Sequence, residues 1–257
     1  MSPPRSSRGS TARPIRAATR RVVSRAFVVR VVPYGEADAV VTLFTEALGK
    51  IAAMARGARK SKRRFAAALE PMHTVQVTVE ERPGAELFGL RDAIVVTPRT
   101  HILGDLDRMN AAGKALRWAR GGSPNRTQES DVWGELETLL DRLNDPADRL
   151  PPGTHLAASG LRMLRHFGYG LELDACVRCG RACDVTRSAY IDAGAGGLVC
   201  QACGGGHSPH QHLVDAATRG RLSAAASGRD AALLPGDTAV AQKLVDDALA
   251  GHAGLDE

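Results

Sequence analysis

The sequence predicts an α+β chain in which a small β-barrel is followed by a helical domain that contains a cysteine module. Three observations predict this class. Apolar residues alternate with a period of two as far as Pro98, they recur at helical spacing after it, and two Cys-x-x-Cys pairs lie between residues 176 and 203. Strand side chains repeat every two residues and helical ones about every 3.6, so the change of period marks a change of architecture.

The first predicted domain spans residues 22–98 and consists of short strands. Its clearest strand carries Val75, Val77 and Val79 between polar neighbours, which is the alternation of a half-buried strand. A turn is expected at Pro33-Tyr34-Gly35 because proline and glycine favour turn conformations. Five such strands, with a basic connector between them, predict a small closed or nearly closed barrel.

The second predicted domain, residues 99–257, is helical. Its apolar residues form three stripes at helical spacing, which we interpret as core faces. Trp118 and Trp133 are expected in the core too. The stripes are Ile102, Leu106, Met109, Gly113 and Leu116; then Val132, Trp133, Leu136, Leu139, Leu140 and Leu143; then Leu156, Gly160, Leu161, Leu164 and Phe167. Two Ala-rich stretches, around 211–227 and 237–250, predict further helices.

The basic residues are concentrated in two segments of an otherwise acidic chain. The 257 residues carry a net charge of +6, yet residues 1–25 hold seven Arg and residues 50–64 hold seven Lys or Arg, with no acid in either segment. Such segregation indicates a polyanion site, and a solvated charge run is the alternative. Residues 1–21 are expected to form a disordered basic arm. No run of 18 apolar residues occurs, so no membrane span is predicted.

Five cysteines, an odd number, argue against a disulfide framework and favour a metal site. Two pairs separated by 20 residues have the spacing of a zinc ribbon. The expected ligands are Cys176, Cys179, Cys200 and Cys203. Four thiolates complete a tetrahedron and leave no position for water, so we expect one structural Zn²⁺, with a redox dithiol as the alternative. Cys183 is expected to be a bystander thiol. A solvated loop is expected around three histidines, His207, His210 and His212.

The sequence contains none of the common catalytic motifs. It has no Gly-x-x-x-x-Gly-Lys-Ser/Thr phosphate loop, no His-Glu-x-x-His and no Gly-x-Ser-x-Gly. The acid pairs Asp105/Asp107 and Glu135/Glu137 lie beside apolar helical stripes, where a solvated face is expected. The chain is therefore predicted not to be an enzyme.

The basic connector inside the barrel region is the strongest candidate for binding a nucleic acid. Guanidinium and ammonium groups in one connector can follow a phosphate backbone and release its counterions. The candidate residues are Arg56, Arg59, Lys60, Lys62, Arg63 and Arg64. Gly57 allows the backbone to turn there. The barrel region offers few aromatic side chains and most are expected in the core, so binding is expected to be mainly electrostatic.

Several stretches together resemble the RecO family of bacterial DNA repair and recombination mediators. They are Pro33-Tyr34-Gly35-Glu36-Ala37-Asp38, Leu43-Phe44-Thr45, Ala55-Arg56-Gly57-Ala58-Arg59, the run from Arg64 to Pro71, the run from Leu161 to Tyr169, and Gly196-Gly197-Leu198-Val199-Cys200. The resemblance covers residues 22–205 in the same order.

The resemblance implies an OB-fold barrel, a helical domain and an embedded four-cysteine zinc site. It implies that the protein binds single- and double-stranded DNA and anneals complementary strands. It further implies that the protein, with a RecR-type partner, helps to load the RecA-type recombinase onto DNA covered by single-strand-binding protein. A cytoplasmic, nucleoid-associated bacterial location follows from the same resemblance.

Two other interpretations of the sequence remain open. One is a zinc-ribbon transcription factor or RNA-binding factor whose barrel binds RNA. The other is an organelle-targeted protein whose first 25 residues are a cleaved transit peptide, since that segment is rich in Arg and Ser and lacks acids. Acceleration of annealing between complementary DNA strands separates the first alternative from the DNA mediator.

Overall fold

A computed structural model describes residues 19–61, 64–208 and 210–253. The α+β class is confirmed: a five-stranded barrel comes first, and helices with a small three-stranded sheet follow. Most of the predicted basic arm, residues 1–18, and the candidates Lys62 and Arg63 lie outside the described residues. No helix in the described ranges combines the length and apolar character that a bilayer crossing requires.

The barrel closes in the strand order β1-β2-β3-β5-β4, with β4 paired back onto β1. Its strands are β1 (Arg20–Tyr34), β2 (Asp38–Thr45), β3 (Gly49–Ala55), β4 (Thr74–Glu81) and β5 (Phe88–Thr97). All neighbours are antiparallel except β3 and β5, which run parallel over a short stretch. Val75, Val77 and Val79 are fully buried, as their alternation predicts.

Strand β1 begins two residues before the predicted barrel start because its first residues pair with the end of β4. Arg20 lies opposite Glu81, and Arg21 lies opposite Glu80. Arg21 also donates a hydrogen bond of 3.0 Å to the Glu80 carboxylate. These two arginines of the predicted arm are therefore part of the strand.

The helical region consists of α1 (Thr100–Leu103), α2 (Leu106–Gly122), α3 (Ser130–Asn144), α4 (Pro152–His166), α5 (Ala216–Ala226) and α6 (Pro235–Ala253). Trp118 and Trp133 are buried, as predicted. The first predicted stripe is wrong at Leu106, which is 70% exposed. Helix α1 ends before Gly104. The Asp105 carboxylate then caps α2 by accepting a hydrogen bond from the Arg108 amide. Ile102 and Leu106 therefore belong to different helices.

Aromatic and charged contacts join the barrel to the helices. The Trp133 ring of α3 lies 4.5 Å from the Phe27 ring of β1 and 6.1 Å from the Phe44 ring of β2, between centroids. Arg25 of β1 donates a 2.7 Å hydrogen bond to Glu137 of α3. The expectation of a solvated face at Glu137 is therefore wrong, because this carboxylate forms an ion pair between the barrel and α3.

Glu135 is a second departure from the solvated-face prediction. Its side chain is 10% exposed and accepts hydrogen bonds from Arg162 and Ser159 of α4. Arg162 also binds Asp230, which is buried and lies near His155. Burial disfavours a charged Arg162, but its hydrogen bonds with Glu135 and Asp230 outweigh this and raise the pKa of Arg162. Glu135 is therefore paired with Arg162 inside the helical region and does not face solvent.

The cysteine module adds strands that helical periodicity does not predict. Strands β6 (Ala189–Asp192), β7 (Gly197–Val199) and β8 (Gln211–Val214) form a sheet in the order β7-β6-β8. The helix expected around 211–227 therefore begins only at Ala216, after an Asp215 cap. His212 lies in β8, and its Nε2 is 2.8 Å from the Asp247 carboxylate of α6. The expectation of a solvated loop is thus wrong for His212.

Candidate nucleic-acid interface and metal site

The basic connector forms a turn that is fastened to the tip of the β1–β2 hairpin. The Gly57 amide donates a 2.7 Å hydrogen bond to the Asp38 carboxylate, and the Arg59 amide donates one of 3.0 Å to the Ala37 carbonyl. Gly57 has φ +68°, which glycine adopts without steric cost. Arg56, Arg59 and Lys60 are exposed. We refer to residues 56–60 as the basic turn.

Arg64 connects the end of the connector to the rest of the barrel. Its Nη2 donates a 2.7 Å hydrogen bond to the Arg56 carbonyl, and its own carbonyl accepts one of 3.1 Å from the Ala93 amide of β5. The structure therefore brings Arg56 and Arg64 together. It places Arg59 and Lys60 on the same turn, whereas Lys62 and Arg63 lie outside the described residues.

A groove of about 270 Å³ beside the basic turn contains two arginines that sequence analysis missed. Arg82 and Arg91 line it together with Arg56 and Arg64. Arg91 pairs with Glu80, and hydrogen bonds from Arg91 and Arg21 lower the pKa of that carboxyl. The sequence signal for Arg82 is its position before the Pro83-Gly84 turn, and for Arg91 its polar position on β5.

Lys50 does not join this surface, although the sequence places it in the same basic segment. Its Nζ donates a 2.6 Å hydrogen bond to the Arg120 carbonyl at the end of α2. Burial and the nearby Arg120 charge lower the pKa of Lys50. Lys50 therefore supports the junction between barrel and helices.

The four predicted metal ligands lie in the C-terminal half of the chain, and the fold brings their sulfur atoms together. The sulfur atoms of Cys176, Cys179, Cys200 and Cys203 all lie within 4.8 Å of one another. The Cys179 and Cys200 sulfurs are 3.8 Å apart, which equals the edge of a tetrahedron with metal–sulfur bonds of about 2.3 Å, about 3.8 Å. This geometry can hold a metal ion.

Glycines at the end of each Cys-x-x-Cys turn make this convergence possible. Gly180 and Gly204 have φ +70° and +94°, a left-handed conformation that glycine adopts without steric cost. Arg178 joins the two turns by donating a 2.6 Å hydrogen bond to the Cys203 carbonyl. The Val177 amide likewise donates to the Leu198 carbonyl at 2.9 Å.

Two thiols of the cluster, Cys176 and Cys203, have pKa values shifted in opposite directions. A hydrogen bond from the Cys200 amide lowers the pKa of Cys176 to about 6. The neighbouring Cys179 and Cys200 sulfurs raise the pKa of Cys203 to about 12. Four thiolates at this separation repel one another, and a bound cation removes that repulsion. The donor set therefore fits a thiolate-bound metal.

Cys183 lies outside the four-cysteine cluster. Its sulfur instead accepts a 2.6 Å hydrogen bond from the buried Arg219 guanidinium of α5. The bystander interpretation of Cys183 agrees with this placement.

Comparison with known protein families covers almost the whole chain. The N-terminal model of recombination protein O matches residues 20–99, and its C-terminal model matches residues 103–256. A DNA repair protein RecO from Anaeromyxobacter sp. (strain K) is 41% identical over 187 residues, 72% of each chain. Proteins of the same name from Pelobacter propionicus and Myxococcus xanthus are 35% and 34% identical over 234 and 229 residues. The chain therefore belongs to the RecO family of DNA repair proteins.

Proposed function

We propose that this protein is a non-catalytic recombination mediator whose barrel, residues 22–98, binds single- and double-stranded DNA. It anneals complementary strands. With a RecR-type partner, it helps to load the RecA-type recombinase onto DNA covered by single-strand-binding protein. The observation that carries the proposal is the basic turn, which presents Arg56, Arg59 and Lys60 to solvent beside a groove containing further arginines.

The basic turn suits a phosphate backbone because its charges are exposed while its main chain is held in place. Exposed guanidinium and ammonium groups exchange condensed counterions for phosphates, which favours binding at low salt. The hydrogen bonds from Gly57 to Asp38 and from Arg59 to Ala37 fix the turn on the hairpin. Arg64, Lys62 and Arg63 complete the proposed set of contacts.

We propose that the four-cysteine cluster holds one Zn²⁺ with a structural role. Zn²⁺ prefers tetrahedral thiolate coordination, and a closed set of four sulfurs leaves no open position for a reactant. The metal would stabilise the cysteine module without taking part in chemistry.

Salt-dependent DNA binding tests the DNA site. For single strands, log K falls by about 0.7 per log salt for each phosphate contact. Replacing Arg56, Arg59 and Lys60 by Gln should therefore flatten the slope by about two units and weaken binding to all sequences alike. The same variant should slow annealing of complementary strands.

A matched control removes three charges elsewhere. Arg117, Arg149 and Arg229 are exposed, and replacing them by Gln changes the net charge equally. This control should retain the slope. If the control and the basic-turn variant lose affinity equally, only net charge matters and the basic turn is not the site. If deletion of residues 1–18 abolishes binding while the basic-turn variant binds normally, the arm is the DNA-binding element.

A second measurement tests the kind of nucleic acid and the mediator role. The protein should accelerate annealing of DNA strands that are covered by single-strand-binding protein, and recombinase loading should require the RecR-type partner. Selective binding of RNA, with no acceleration of DNA annealing, would instead favour the RNA-binding interpretation.

A further inference from the structure

Tyr34 presents an aromatic ring to solvent at the end of β1. It is 60% exposed, whereas Phe27, Phe44, Phe65 and Phe88 are buried. Within the described part of the chain, its ring stacks on no other ring and its hydroxyl has no hydrogen-bond partner. Such exposure of a large ring leaves one face available to a planar ligand.

The hairpin register places Tyr34 next to the basic turn. Tyr34 lies directly opposite Asp38, and opposite side chains of an antiparallel pair share one face with Cβ atoms about 5 Å apart. The Asp38 carboxylate accepts from the Gly57 amide at 2.7 Å. The Tyr34 ring therefore emerges from the hairpin face that contacts the basic turn.

We propose that Tyr34 stacks on an unpaired base of a nucleic-acid strand whose phosphates bind the basic turn. This inference rests on the proposed DNA site and adds the residue that recognises single strands. An exposed ring beside a positively charged groove is the combination by which proteins bind single strands without sequence preference.

Stacking on Tyr34 discriminates between strand forms because the bases of a duplex are already stacked on each other. Phosphate contacts from Arg56, Arg59 and Lys60 are available to either form, so they give affinity without preference. The ring contributes only where a base is unpaired. Tyr34 consequently gives this surface its preference for single strands over duplexes.

The test compares Tyr34 variants on four ligands of equal length: a single strand, the same strand with abasic sites, a duplex and a duplex with abasic sites. Tyr34→Ala should weaken single-strand binding by about 5- to 150-fold, the equivalent of the stacking of one base. It should leave duplex binding and the salt slope unchanged. On the abasic single strand, wild type and Tyr34→Ala should bind equally.

Two further variants separate stacking from other contacts. Tyr34→Phe keeps the ring and should bind as wild type does, whereas Tyr34→Leu keeps apolar bulk and should behave like Tyr34→Ala. Since Tyr34 is exposed, these variants should unfold at wild-type temperature. Leu106→Ala, which shortens an exposed side chain on α2, is the control for a general surface effect.

The outcomes distinguish this inference from the proposed function. If Tyr34→Ala binds single strands as tightly as wild type while the Arg56/Arg59/Lys60 variant loses affinity, the basic turn binds DNA and the stacking inference is wrong. An equal loss on single strand and duplex, or a loss that persists on the abasic strand, also overturns it. If the Arg56/Arg59/Lys60 variant binds normally, the DNA site itself is wrong.

Discussion

Removal of the metal from the cysteine module should unfold that module and leave the barrel folded. The module has a small apolar core of its own, formed by Cys176, Ala189 and Leu198. Complete burial of a leucine contributes only about 1.5–3 kcal/mol. Structural zinc contributes about 10–16 kcal/mol of apparent folding energy in zinc-finger peptides at neutral pH. A bound Zn²⁺ would therefore contribute more to the module than this small cluster does, while Ile191 and Ala193 of the module pack into the helical core.

The barrel does not share this dependence because its core is a separate cluster. Val28, Leu43 and Val77 belong to a group of buried residues that includes none of the cysteines. Hydrogen exchange measured by mass spectrometry before and after chelation should show the difference. Peptides containing the Val177 and Leu198 amides, which bond across the module at 2.9 Å and 2.8 Å, should lose protection. Peptides from β4 should keep it.

Metal analysis of two variants completes this test. Cys183→Ser should retain one equivalent of zinc, because Cys183 lies outside the cluster, whereas Cys200→Ser should lose it. Loss of zinc from Cys183→Ser would show that the four ligands are chosen wrongly. Equal loss of protection in β4 and in the module would refute the argument that their cores are independent.

Two further predictions concern the helical region. Gly113→Ala should raise the free energy of unfolding by about 1 kcal/mol, since no atom lies within 4 Å of the added Cβ. Gly160→Ala should instead lower the thermal midpoint, because its Cβ would lie 2.5 Å from the Trp118 ring. Burial lowers the pKa of His155, but hydrogen bonds with Asp230 and Asp148 outweigh it and raise that pKa. Protonated His155 therefore stabilises the folded protein. This contribution is complete below about pH 6.5, the unfolded-state pKa, and is lost as the pH rises through the folded-state pKa. The difference in thermal midpoint between wild type and His155→Gln should therefore shrink as the pH rises above about 6.5; a constant difference contradicts the argument.

The features that could be predicted from the sequence are those in which the signal is local. Val75, Val77 and Val79 alternate within five residues, and alternation directly reports a strand with one buried face. Each Cys-x-x-Cys turn likewise places two sulfurs together through its own backbone. The consecutive charged residues around Arg59 likewise indicate an exposed segment, because the signal lies within the segment itself. These signals need no knowledge of which segments meet in space.

The features that could not be predicted depend on tertiary pairing. Arg91 joins Arg56 in the groove because β5 runs beside β3, with Gly89 opposite Met54, and nothing in either strand specifies that register. Glu135 has a polar position on its helix, so periodicity assigns it to solvent. Its partner Arg162 comes from another helix, and a buried ion pair of this kind has no local pattern.

The layout of β1 separates the proposed DNA site from the helical region. Phe27 contacts Trp133 of α3, while Tyr34 lies at the far end of the same strand, beside the basic turn. Seven residues of strand at about 3.3 Å each separate these positions by at most about 23 Å along the strand. The hydrogen bonds that fix the turn come from Asp38 and Ala37 of the hairpin. DNA at the proposed site would therefore lie away from the contact between Phe27 and Trp133, and substitutions of the basic turn should weaken DNA binding without changing metal content.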